Sequence, residues 1–283
     1  MDRLKLRYGG RSPGARFVDG GRPYLRREAI PGGGAADPSA ARSANHLLGQ
    51  AETHPTLELP LRGGVWHLSG TGFIAITGAD MQWTLDGAEL PRGRVTRVAG
   101  QHALCGGLAR NGCRGYLAVR GNWVLPRVRG SVEPGLPGVY VATEGDGWAV
   151  ISESSCALRS EQPVTYAEEV SLNCVPGPEY ELLDRERRNM LSDERFVLLP
   201  DSDRQGLRLG CQTMPPAQRL PTLLSAAVLP GTVQLTPSGP IVLGPDAQTV
   251  GGYPRILQVV DTLDAIYQLL PGGRVRFIVN PLR

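Results

Sequence analysis

Apolar and polar positions follow one another in short runs along most of this chain, and few runs keep a helical period. Leu4 to Arg7 alternates apolar and charged side chains, the period of an edge strand. From Thr56 the strand patterns come in series: Thr56 to Leu59, Gly64 to Leu68, Phe73 to Thr77, Gln82 to Leu85, Arg94 to Val98, His102 to Leu104 and Arg114 to Val119. The first four are bounded by Gly, Pro or Asp, and Asp86-Gly87 is a hairpin turn signal. About seven strands at this spacing indicate a barrel or a sandwich. Gly121 to Pro163 has a weaker pattern and reads as long loops. The character resets at Val170 to Val175, and later two apolar runs, Gly231 to Leu235 and Ile241 to Leu243, flank the turn residues Thr236-Pro237-Ser238-Gly239-Pro240. Val275 to Val279 supplies a last strand.

Helical signals are few. Asp37 is suited to an N-cap, Pro38 to the first helical position, and Ala40, Ala41, Ala44, Leu47 and Leu48 recur on one face until Gly49. Glu179 to Leu191 reads as a charged helix with Leu182, Leu183 and Met190 on part of one face, and Asp261 to Leu270 as a final helix. The expected class is therefore mostly β: two β-rich subdomains with a few short helices, divided near residue 165 into 1–164 and 165–283.

Composition agrees with that class. The 37 glycines and 24 prolines favour many short strands and tight turns over long helices. A net charge of +3 is spread along the sequence and aromatic residues make up 6%, which excludes the clustered basic face of a nucleic-acid binder. Lys5 is the only lysine, so the chain has no internal candidate for a phosphate-loop or biotin-bearing lysine beyond it. The five cysteines contain no CxxC pair, and the four histidines show no ligand spacing, so neither a disulfide framework nor a metal site is expected. No run has signal-peptide or membrane-spanning length, and a cytoplasmic protein is expected.

Candidate chemistry gathers in the second half. Gln248, Thr249, Gly251, Gly252 and Tyr253 place an amide, a hydroxyl and a phenol beside two glycines whose backbone a ligand or a neighbouring strand can approach closely. Asp203 and Arg204 stand at a strand start, where the guanidinium can fork onto a carboxylate or carbonyl oxygen and Asp203 can orient it or serve as base. The alternative is a surface ion pair at a turn. Glu58 falls mid-strand and needs a partner if buried. Gly32, Gly33 and Gly34 precede a helix N-terminus and either offer free N–H groups to an anion or simply lead into a capped helix.

Several of these stretches carry a likeness. Ser202-Asp203-Arg204-Gln205-Gly206-Leu207-Arg208-Leu209, Gln234, Pro237-Ser238-Gly239, Gln248-Thr249 and Gly251-Gly252-Tyr253-Pro254-Arg255-Ile256, with Asp19-Gly20-Gly21-Arg22-Pro23 and Gly78-Ala79-Asp80, resemble the carboxyltransferase domain family (subdomains A and B). That family includes the C subunit of ATP-dependent 5-oxoprolinase, the second half of the urea carboxylase carboxyltransferase domain (the allophanate hydrolase subunit 2 type) and the antagonist of the Kip sporulation-kinase inhibitor. The resemblance implies a cyclophilin-like β-barrel at least in the C-terminal part. It implies a substrate held by Asp203, Arg204, Gln248 and Tyr253, with Glu58, Asp80 and Gly32 to Gly34 lining the cleft. Implied partners are a B-type carboxyltransferase protein and an A-type protein, with ATP used by the complex on a small amide or lactam. Two alternatives stay open: biotin-dependent carboxyl transfer to urea or a related amide, with biotin arriving on a partner, and a non-catalytic regulatory module that sequesters a Kip-inhibitor-like protein. The chain departs from the family pattern at Arg16, Val18, Gly32-Gly33-Gly34 and Val132-Glu133-Pro134, where polar groups become apolar, glycine or charged.

Overall fold

A computed structural model of the chain describes residues 3–211 and 223–280. The described chain is mostly strand and divides into two compact units: Met1–Gly21 with Gly33–Tyr166, and Arg22–Gly32 with Ala167–Arg283.

The first unit is built on a ten-stranded antiparallel sheet. Its main path runs Arg16–Val18, Thr56–Pro60, Asn111–Val119, Arg62–Asp80, Arg3–Tyr8, Gly147–Ser152 and Gly121–Trp123, and Val95–Leu108 pairs along Arg62–Asp80. Alternate side chains of Arg3–Tyr8 are buried, sending Leu4, Leu6 and Tyr8 into a core with Leu57, Leu59, Trp66, Ile74 and Leu117. Burial of each Leu-sized side chain contributes about 1.5–3 kcal/mol. Helix α1, Pro38–Leu47, covers the opposite face of part of this sheet, where Ala44, Leu47 and Leu48 meet Phe73, Ala75 and Ala118. Both faces of Asn111–Val119 are thus covered, and all but its first residue are buried. Asp37 caps α1 as expected, its carboxylate accepting from Ala40 N at 2.9 Å.

Two strand expectations are corrected. Arg3–Tyr8 is an interior strand, flanked by Gly147–Ser152 and Arg62–Asp80. The short strands expected at 64–68 and 73–77 are one continuous 19-residue strand. Gly70, at φ +110°, bends it where any Cβ would collide with the Arg3 carbonyl oxygen, so a residue that reads as a break instead lets the ladder continue. Within the loop-like 121–163 region the structure forms Gly121–Trp123 and Gly147–Ser152.

The second unit contains a closed seven-stranded barrel, in agreement with the barrel implied for the C-terminal part. The order is Glu169–Pro176, Arg255–Val259, Thr232–Thr236, Gly239–Leu243, Gly206–Gly210, Phe196–Leu198 and Arg274–Val279, closed by a parallel pairing of the last with the first. Leu172, Phe196, Leu207, Leu209, Val233, Leu257, Val275 and Phe277 are buried on these strands, as alternate positions of a small barrel require. Pro237-Ser238 makes a two-residue turn between Thr236 and Gly239. The charged helix is shorter than its pattern. Leu183 is extended and Asp184 caps a new start by accepting from Arg187 N, giving a 3-10 turn at Tyr180–Leu182 followed by α2, Arg185–Asp193. The final helix, α3, is only Asp264–Tyr267. Among the described residues, no helix is long and apolar enough to cross a membrane.

Candidate functional site

In the first unit, the glycine segment meets carboxylates from the protein itself. Gly34 N donates to both oxygens of Glu133 at 2.8 Å, and Ala36 N donates to Glu58 Oε2 at 2.8 Å. Tyr116 links the next peptide: Asp37 N donates to its hydroxyl at 2.8 Å, and the hydroxyl donates to Glu58 Oε2 at 2.9 Å. Glu58 and Glu133 are 1% and 2% exposed, so each needs these partners. Arg114 Nε approaches Glu58 Oε1 at 3.8 Å. Burial, then the Glu58 charge, pushes the Tyr116 phenol well above its usual range, so it stays a hydrogen-bond donor. The acceptors at the Gly34 and Ala36 N–H groups are therefore internal carboxylates. Gly33, at φ +69°, is required because a Cβ there would collide with Glu133 Oε2. Gly32 belongs to the other unit, where its carbonyl accepts from Arg22 N.

Asp19 extends this network. It accepts from Gly21 N and Ser131 Oγ with one oxygen and from Val132 N with the other, while its own N–H donates to Glu133 Oε1 at 3.1 Å. Two departures from the family pattern find a physical role: Val18 and Val132 are buried, one against Ala40, Ala41 and Tyr116, the other in the main core. Asp80 ends the long strand, and its carboxylate accepts from Gln82 N at 3.1 Å in a tight turn.

In the second unit, Arg204 is buried, and its expected neighbour is replaced. Nε and Nη2 fork onto the two oxygens of Asp246 at 2.8 Å each, whereas the exposed Asp203 carboxylate accepts from Gln205 N and Gly206 N and shapes the turn. Asp246 N also donates to Arg204 O, which ties the Arg204 turn to the segment that carries Gln248. Gln234, 2% exposed on Thr232–Thr236, gathers the twin-glycine bend: its Nε2 donates to Tyr253 O at 3.1 Å and its Oε1 accepts from Gln248 Nε2 at 3.4 Å. A Cβ on Gly251 would lie 2.6 Å from Gln234 Nε2, so a side chain there would displace that amide. Val250–Gly251 pairs with Ala226–Ala227, and Thr249 O accepts from Val228 N. Tyr253 is half exposed.

Three more groups meet at this bend, and two of them, Gln234 and Arg255, fall in stretches that carry the family likeness. Arg26, from the 22–32 excursion, donates through Nη2 to Val228 O and Gln248 O, while its Nη1 is buried without a partner among the described residues. Arg255 forks onto Glu179 at 2.9 and 2.6 Å, and these hydrogen bonds hold the Glu179 carboxyl below its usual range. Gln234 also stands out as an amide in the apolar run Thr-Val-Gln-Leu-Thr. With Asp246 and Glu179 each committed to an arginine, the bend presents amide, phenol and backbone groups suited to hydrogen-bonding a small polar ligand.

A closed barrel carrying an amide-lined glycine bend, joined in one chain to a broad antiparallel sheet, defines a mostly β protein with a polar binding bend. The chain matches the model of the carboxyltransferase domain, subdomain A and B, over residues 28–279, and it belongs to that family. It is 34% identical over 272 residues to the 5-oxoprolinase C subunit of Haemophilus influenzae, covering 93% of this chain and 87% of that one. The same identity over 269 residues relates it to the 5-oxoprolinase C subunit of Escherichia coli, covering 92% and 86%. Among solved structures, TTHA0988 superposes with a TM-score of 0.87 at 28% identity, over 97% of this chain and 56% of that one. The fold is also that of the Kluyveromyces lactis urea amidolyase, at a TM-score of 0.86 and 20% identity over 100% of this chain and 19% of that one.

Proposed function

We propose that this chain is the counterpart of the 5-oxoprolinase C subunit in a cytoplasmic complex that opens a small lactam, 5-oxoproline or a close analogue, at the expense of ATP. The observation that carries this reading is the 34% identity to two such proteins over nearly the full length of each. In this reading the bend at Gln234, Gln248, Gly251, Gly252 and Tyr253 receives the planar amide, because amide and peptide groups match both its N–H and its C=O. Arg204, held by Asp246, and Asp203 in its turn complete the barrel side. The carboxylates at the bend are paired with arginines, so a B-type partner brings the proton-transferring group and an A-type protein completes the assembly. The ring C–N bond breaks, water supplies the new carboxylate oxygen, and ATP hydrolysis drives the opening.

Co-expression with the B-type and A-type partners tests this. The purified complex should hydrolyse 5-oxoproline only with ATP present. An assembled complex that leaves 5-oxoproline untouched with ATP overturns the reading. A second reading, biotin-dependent carboxyl transfer to urea, is supported by 35% identity over 113 residues to the Saccharomyces cerevisiae urea amidolyase, a match covering 39% of this chain and 6% of that one. Biotin would then ride on a partner, and avidin blotting of the complex separates the two. A binding role without turnover, on a Kip-inhibitor-like protein, draws support from the internal filling of the glycine segment by Glu133 and Glu58.

A further inference from the structure

The outward face of the first unit holds a second feature that the proposed lactam chemistry does not use. A groove of about 730 Å³ lies over the strands Arg3–Tyr8, Arg62–Asp80, Val95–Leu108 and Gly147–Ser152. Its volume is in the range of small-molecule sites. The strand register sets its polar lining in two rungs. Arg7 lies opposite His67, which lies opposite Ala103, and Lys5 lies opposite Ser69, which lies opposite Gln101. Neighbouring strands are about 4.8 Å apart and same-face residues about 6.6 Å apart along a strand. Lys5, Arg7, His67 and Ser69 therefore mark the corners of a patch about 5 by 7 Å, a span across which one or two phosphate groups can meet donors on both sides.

The charges in this groove are unbalanced. Lys5 and Arg7 are exposed and have no ion-pair partner among the described residues. Asp86 is the one carboxylate of the lining, and it accepts from Ala103 N at 2.7 Å and from His102 Nδ1 at 2.6 Å. That bond raises the His102 pKa and favours its cationic form. Two permanent cations, a third inducible one, and the hydroxyl and amide of Ser69 and Gln101 make a donor-rich surface with its carboxylate already committed. Such a set favours a compact, multiply charged oxyanion over a neutral amide. Trp148 is the one aromatic side chain of the lining, too few for the successive stacking a nucleic-acid strand needs.

We propose that this groove binds a small phosphate-bearing molecule, through Lys5 and Arg7 with Ser69 and Gln101 as supporting donors. The test is calorimetric titration of the full chain with sodium pyrophosphate at fixed ionic strength, beside the Lys5→Gln/Arg7→Gln double variant. Wild type should bind one pyrophosphate, and the double variant should bind at least about tenfold more weakly, the effect of losing charge-assisted hydrogen bonds. Both positions are exposed, so the variant should keep its circular dichroism spectrum. A second readout uses the single lysine: pyrophosphate should slow acetylation at Lys5, followed by peptide mass spectrometry. Titration with ATP tells whether the phosphate is free or carried on a nucleotide, and loss of ATP binding in the double variant supports the site equally. Unchanged affinity in the double variant, no binding by wild type, unprotected Lys5, or equal binding of citrate at the same ionic strength would each overturn it.

Discussion

Replacing Asp246 by Ala removes the fork that holds Arg204 and leaves a guanidinium at 7% exposure without its carboxylate. Breaking a buried ion pair from one side costs about 3–5 kcal/mol, because the remaining charge cannot recover its hydration. The Asp246 side chain is 24% exposed, so water can partly replace it and the low end, about 3 kcal/mol, applies. The assay must report on the barrel. Trp66, Trp83, Trp123 and Trp148 all lie in the first unit, so tryptophan fluorescence does not. Cys174 does: it is fully buried on Glu169–Pro176, and burial pushes its thiol up to about 12. Alkylation at Cys174, read by mass spectrometry of its peptide, therefore requires opening of the barrel. A loss of about 3 kcal/mol raises the labelling rate roughly hundredfold. In Arg204→Met/Asp246→Ala the buried charge is removed together with its carboxylate, and most of the protection should return. Labelling of Asp246→Ala within threefold of wild type, or a double variant as labile as the single, would refute the account of this pair.

Further outcomes follow from the first unit. Gly33→Ala should cost about 2 kcal/mol or more in urea unfolding followed by tryptophan fluorescence, combining left-handed strain with the Glu133 collision. Gly34→Ala, whose new methyl meets open space, should cost only the strain, about 1 kcal/mol, and equal losses at the two positions would contradict the packing argument. Asp86 lifts His102 above its ordinary value of 6.5, so folding gains proton affinity there. That contribution is complete below pH 6.5 and is lost as the pH rises through the raised folded value, and Asp86→Asn should flatten this part of the stability profile.

Local rules made some parts of this molecule legible. Asp37 and Pro38 announce α1, Asp86-Gly87 announces a hairpin at φ values of 51° and 82°, and Glu58 as a mid-strand carboxylate signals a buried partner. What stayed hidden depends on pairings far apart in sequence. Arg204 takes Asp246 and not the adjacent Asp203, since the Asp203 carboxylate closes its own turn. Glu133 meets Gly34 and Asp19 from about a hundred positions away, so the sequence left open whether the glycine N–H groups take an anion, while the chain supplies its own carboxylate. Arg26 reaches the twin-glycine bend only because 22–32 packs with the second unit, and no periodicity reveals that excursion. The long strand at 62–80 was masked by Gly70, whose missing side chain sustains the ladder that a glycine usually interrupts.

The amide cluster of the barrel is the centre of the functional account, and Gln248 is its exposed member, touching Gln234 without filling the core. The decisive measurement is the steady-state hydrolysis of 5-oxoproline by the assembled complex containing Gln248→Ala. The account predicts a KM raised by about tenfold, the loss of one hydrogen bond to the substrate amide, with assembly and Cys174 protection unchanged. Wild-type kcat and KM in a complex carrying that substitution would contradict it.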